Sequence, residues 1–98
     1  MKPFEILVRV VRSVYPDAKA VYPDQENDES GCITFASDDV SYTITAGRSE
    51  VFLTVKLGTD NYVFNSIPRD RFDRARFART QAQMAELVKR MKKHYPEL

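Results

Sequence analysis

The chain has 98 residues, of which 43% are hydrophobic and 30% are charged, and its formal net charge at pH 7 is +1. This length is enough for a single domain over residues 1–98, and the composition is typical of a globular protein in water. No apolar run approaches the roughly 20 residues that a membrane-spanning helix needs, so we expect no membrane partner.

The N-terminal region and the cysteine content predict the cellular compartment. Glu5, Arg9 and Arg12 interrupt the apolar stretch that a signal peptide would require, so we expect no signal peptide. Cys32 is the single cysteine and therefore cannot form an internal disulfide. Together these features predict a cytoplasmic location.

The first element is an amphipathic segment that ends at Pro16. Pro3 suits a first helical turn, because its missing N–H would have no partner there in any case. Apolar residues at three- and four-residue spacing predict one buried helix face: Phe4, Leu7, Val8, Val11, Val14 and Tyr15. Apolar residues also alternate in this segment, so a strand over residues 3–15 stays open as an alternative.

Five segments in the middle of the chain have the features of β-strands. Alternation of apolar and polar residues is almost complete in residues 40–46 and 51–57, and a strand directs successive side chains to opposite faces. Shorter strands are predicted at residues 18–22, 32–36 and 62–65. Turn-forming residues separate these segments, so the sequence predicts an antiparallel meander of four or five strands.

The C-terminal third predicts one long helix over residues 67–95. Ser66 is expected to cap this helix, and Pro68 suits its first turn. An apolar stripe continues along the segment: Phe77, Met84, Leu87, Val88, Met91 and Tyr95.

The order of elements predicts an α+β two-layer sandwich of the form α-β-β-β-β-β-α. Each helix has one apolar stripe to bury and the sheet has one apolar face, so both helices are expected on the same side. The other side of the sheet, which we call the open face, is then uncovered and rich in hydroxyl groups. The residues expected on it are Thr34, Ser41, Thr43, Thr45, Phe52, Thr54 and Lys56.

Charge is distributed unevenly along the chain. Residues 17–50 carry eight acidic and two basic residues, whereas residues 69–98 carry nine basic and four acidic residues. The acidic loop contains Asp24, Glu26, Asp28 and Glu29. The arginine cluster, expected at the start of the last helix, contains Arg69, Arg71, Arg74, Arg76 and Arg79. Arginines in such a cluster either bind phosphate groups or line the solvent and pair with nearby acids, and both interpretations stay open.

Residue types that perform catalysis or bind metals are scarce. His94 is the single histidine and lies among lysines near the chain end. One cysteine and one histidine cannot build a zinc site, and the acidic loop lacks the glycine and glutamate that an EF-hand requires. We therefore expect no catalytic, cofactor-binding or metal-binding residues and no enzymatic activity.

The sequence favours a function in binding. Our first hypothesis is a small non-enzymatic protein–protein interaction module, an accessory, regulatory or inhibitor protein of bacterial or mobile-element type. It would use the acidic loop, the arginine cluster and the open face, above all Thr43, Thr45, Phe52 and Thr54. The alternative is a nucleic-acid-binding domain that uses the arginine cluster. Self-association as a homodimer, through the open face or an edge strand, is also open.

Overall fold

The computed structural model describes residues 3–22 and 31–97. Five strands form one antiparallel sheet in the order β1-β2-β3-β4-β5, which confirms the predicted α+β fold and its meander topology. The elements in chain order are α1 (Pro3–Val14), β1 (Lys19–Val21), β2 (Gly31–Ser37), β3 (Val40–Ala46), β4 (Glu50–Leu57), β5 (Asn61–Pro68), a single 3₁₀ turn (Arg69–Arg71) and α2 (Arg74–His94).

The first segment is a helix, so the strand alternative for residues 3–15 is wrong. Its spacing places four side chains on one face, and all four are buried: Phe4, Leu7, Val8 and Val11. The Tyr15 N–H still donates to the Val11 carbonyl at 2.8 Å, and Pro16 ends the helical pattern directly afterwards.

The core lies between one face of the sheet and the two helices. Every second residue of β3 and β4 is buried, and α2 packs against both α1 and β5. Val11 of α1 and Phe77 of α2 are fully buried beneath this layer. The two helices therefore share one side of the sheet, as predicted. Within the described residues, neither helix has the combination of length and apolar character needed to cross a bilayer.

The predicted cap of the last helix is wrong. Ser66 lies within β5, because the strand continues through Ile67, whose side chain is buried and whose backbone is aligned with Val51 of β4. Pro68 is the last residue of β5, at the edge of the sheet, where a missing N–H is tolerated.

The helix α2 begins at Arg74 and not at residue 67. Its cap is Asp73, whose Oδ1 accepts the backbone N–H of Arg76 at 2.8 Å. Arg69 and Arg71 consequently lie in the 3₁₀ turn that precedes the helix. The prediction that the whole arginine cluster lies at the start of one helix is therefore wrong.

Candidate interaction surface

The open face is the uncovered side of the five-stranded sheet. Strand register aligns its side chains in two rows that cross all five strands. The first row contains Val21, Cys32, Thr45, Phe52 and Ser66. The second row contains Lys19, Thr34, Thr43, Thr54 and Phe64. All the residues predicted for this face are exposed or half-buried there, and β5 adds Tyr62 and Phe64 to them.

An aromatic pair dominates the open face. The rings of Phe52 and Phe64 stack with their centroids 5.7 Å apart and their planes 26° apart. Phe64 is 59% exposed and neighbouring Tyr62 is 64% exposed, so a large apolar area faces the solvent. Gly47 makes room for the Phe52 ring, because a Cβ atom there would come within 2.9 Å of the Glu50 carbonyl oxygen and 3.0 Å of Phe52 Cε2.

The aromatic residues of β5 were not among the predicted binding residues. The sequence contained one signal for them. The apolar residues Val63 and Ile67 point into the core, and successive side chains of a strand point to opposite faces, so Tyr62 and Phe64 lie on the open face. Polar Asn65, at the same parity, interrupts that alternation. Only the pairing of β5 with β4 places Phe64 beside Phe52.

The side chain of Arg69 is hydrogen-bonded to the backbone of a neighbouring turn. Its Nη1 donates to the Gly47 carbonyl at 2.5 Å, and its backbone N–H donates to the Ser49 carbonyl at 2.9 Å. These bonds fix the 3₁₀ turn against the turn that joins β3 and β4. Arg69 is therefore half-buried and has a structural role within the arginine cluster.

The exposed arginines of α2 point in different directions. A helix turns by about 100° per residue, so Arg76 and Arg79 are about 60° apart around the axis, whereas Arg74 is about 160° from Arg76. The Asp73 carboxylate also occupies the helix N-terminus, where an anion would otherwise bind to the free N–H groups. The side chains of the arginine cluster therefore point in several directions and do not form one binding pocket.

The described residues contain no group of three or more histidine, cysteine, aspartate or glutamate side chains that could hold a metal ion. Cys32 is half-buried on the open face, whereas His94 is exposed at the end of α2. Burial raises the pKa of the Tyr42 hydroxyl above its ordinary value of 10.0, but this residue belongs to the core. The acidic loop, with Asp24, Glu26, Asp28 and Glu29, lies outside the described residues.

A cleft of about 460 Å³ lies at the β1 edge of the sheet. It forms because β1 pairs with only three residues of β2 and leaves residues 35–37 without a neighbour on that side. Its wall includes the Tyr15 ring, which stacks on the Phe35 ring with centroids 4.2 Å apart. Asp17, Lys19, Thr34 and Ser41 also line it, so the cleft has both apolar and polar walls.

Among known proteins, no family model, no curated protein and no solved structure matches this chain.

Proposed function

We propose that the protein is a non-enzymatic protein–protein interaction module whose docking surface is the open face. The observation that carries this proposal is the exposed stack of Phe52 and Phe64 at a face that neither helix covers. Aromatic side chains are the residues most enriched at the centres of protein interfaces, because they bury a large area at a small cost in conformational entropy.

The surroundings of the stack also support docking by a protein. Threonine side chains flank the two rings, and the Thr54 hydroxyl donates to the Thr43 carbonyl at 3.3 Å. This bond satisfies the hydroxyl within the sheet, so a partner can cover Thr54 without leaving that donor unpaired. The face therefore combines an apolar centre with at least one neighbouring hydroxyl, that of Thr54, whose burial costs little.

The test is affinity capture of the tagged protein from its native cell lysate, divided into nuclease-treated and untreated halves, with mass spectrometry of the retained material. We expect a protein at stoichiometric yield that survives nuclease. Phe64→Thr should abolish its retention, because threonine keeps the strand propensity and the polar character of the face but removes the ring.

Leu87→Gln is the matched control. It also removes an exposed apolar side chain, but from α2 on the opposite layer, and glutamine has a similar helix propensity. Retention should be unchanged in this variant. A partner that Phe64→Thr still retains in full would show that the open face is not the docking surface.

Nucleic-acid binding is the second candidate function. It is favoured by the excess of basic residues in 69–98 and by the exposure of Arg71, Arg74, Arg76 and Arg79. It predicts an affinity that falls steeply with salt and that loses about one unit of log–log slope for each phosphate-contacting arginine removed. Binding that is absent or independent of salt would exclude it, as would retained material that nuclease leaves intact.

A further inference from the structure

We infer that the partner of the open face is a second copy of this chain, bound face to face about a two-fold axis. This inference rests on the proposed function of the open face and specifies which protein binds there. It follows from the way in which the two rows of side chains complement each other when one is rotated onto the other.

Consider a two-fold axis that lies between two copies, runs across the strands and passes midway between the rows. This axis exchanges the two rows and places β4 over β4 of the second copy in the opposite direction. Phe52 then faces Thr54 of the second copy, and Phe64 faces Ser66 of the second copy. Each large ring meets a small side chain, and such alternation of large and small residues allows two sheets to pack closely.

The charges of β4 are also complementary under this rotation. Glu50 and Lys56 lie on the open face, three residues on either side of Leu53, where the axis crosses β4. The rotation therefore brings Glu50 of each copy towards Lys56 of the other, which gives two contacts between opposite charges. Lys19 is the one charged residue of the two rows, and it faces Val21 of the second copy and meets no like charge.

The area is sufficient for a specific dimer. The strands of the sheet contain 3, 7, 7, 8 and 8 residues. With strands about 4.8 Å apart and about 3.3 Å per residue, the face covers about 520 Å². Two such faces in contact would bury at most about 1,050 Å² in total, just above the roughly 1,000 Å² expected of a biological interface. An interface near this lower limit is typical of weak, reversible association, so we expect a dimer whose population depends on protein concentration.

The free edge of β5 is less suited to self-association than the open face. The Ser66 N–H already donates to Asn65 Oδ1 at 2.8 Å, and Pro68 has no N–H to donate. A row of free donors is what makes an edge strand pair with another chain, and proteins blunt such edges in this way. The open face is therefore a better site for self-association than the β5 edge.

Sedimentation equilibrium or light scattering between about 1 µM and about 300 µM tests the inference, because this range covers weak, reversible association. We expect a concentration-dependent dimer. Glu50→Lys alone, or Lys56→Glu alone, should raise the dissociation constant about tenfold, because two attractive contacts become repulsive. The double variant Glu50→Lys/Lys56→Glu should return it to within about threefold of wild type.

Lys92→Glu and Glu86→Lys are the matched controls, because they make the same charge changes at exposed positions of α2. Both should leave the dimer unchanged. A monomer throughout the concentration range overturns the inference, as does a dimer that the β4 variants do not weaken or the double variant does not restore. If the wild type is a monomer but retention of a captured partner still depends on Phe64, the inference of a dimer is wrong and the proposed function stands. If the wild type is a monomer and retention does not depend on Phe64, both are wrong.

Discussion

The ring of Phe4 fills the space that a side chain at Gly31 would need. A Cβ atom built on Gly31 would come within 2.5 Å of Phe4 Cε1 and 2.6 Å of Phe4 Cζ. Phe4 is buried in the first turn of α1, and Gly31 is the first residue of β2. The helix can therefore lie close to the sheet only because residue 31 has no side chain.

Gly31→Ala should destabilise the protein by about 1–3 kcal/mol, since a buried ring would have to leave its rotamer or the helix would have to move. Urea unfolding measures the change. The double variant Gly31→Ala/Phe4→Leu tests the cause, because a smaller side chain at residue 4 relieves the contact. We expect the double variant to be less destabilised than the sum of the single variants. Strict additivity would show that the two residues do not interfere.

The turn between β2 and β3 can be improved. Asp38 and Asp39 have φ angles of 52° and 63°, as a two-residue hairpin turn of type I′ requires, and aspartate adopts this region less readily than glycine. Asp39→Gly should raise the free energy of unfolding by about 0.5–1 kcal/mol. Asp60→Gly, in the turn before β5 where the residue does not have a positive φ, should give no such gain. Equal effects at both turns would contradict this account.

Tyr42 should make the protein sensitive to alkaline pH. Burial raises the pKa of its hydroxyl, and the neighbouring Tyr15 adds to the increase. The Gln81 amide, which lies beside the hydroxyl without a hydrogen bond of standard geometry, lowers the pKa by a smaller amount.

The sign of this effect follows from proton binding. Above the ordinary value of 10.0 the unfolded chain loses the tyrosine proton while the folded protein keeps it, so the free energy of unfolding falls as pH rises. Tyr42→Phe should remove this part of the slope, whereas Tyr62→Phe, which removes an exposed hydroxyl, should not. Urea unfolding at a series of pH values from neutral to above 10 measures it, and identical slopes in all three proteins would refute the prediction.

Asp73 should stabilise the start of α2. Its carboxylate accepts the Arg76 N–H, and loss of such a cap usually costs about 1 kcal/mol. Asp73→Ala should therefore lower the free energy of unfolding by about this amount. Asp73→Asn keeps an acceptor and should lose only a few tenths of a kcal/mol from the helix dipole. Thermal or urea unfolding separates the two variants, and an equal loss in both would assign the effect to charge and not to the hydrogen bond.

Much of the fold could be predicted from local patterns. The alternation in β3 and β4 specified both the hairpin and the face that each residue occupies, because the side-chain period of a strand is two. The three- and four-residue spacing in α1 specified a buried helix face in the same way. These patterns depend only on backbone geometry, so neighbouring residues suffice to reveal them.

The start of the last helix could not be predicted, because two local signals compete there. Ser66 followed by Pro68 is typical of a capped helix, yet Ile67 gains more by burial beside Val51 in the sheet. The chain therefore stays extended through Ile67, and Asp73 instead of Ser66 caps the helix. Only the packed structure decides between these outcomes.

The chain by itself determined the layer order, the burial of the sheet on one side and the hydroxyl-rich character of the other. Tertiary structure decided which side chains meet on that uncovered side. The Phe52–Phe64 stack depends on the register between β4 and β5, and the engagement of Arg69 depends on the position of Gly47 in a distant turn. Both are contacts between residues far apart in sequence, and the periodicity of a sequence does not reveal which distant residues come into contact.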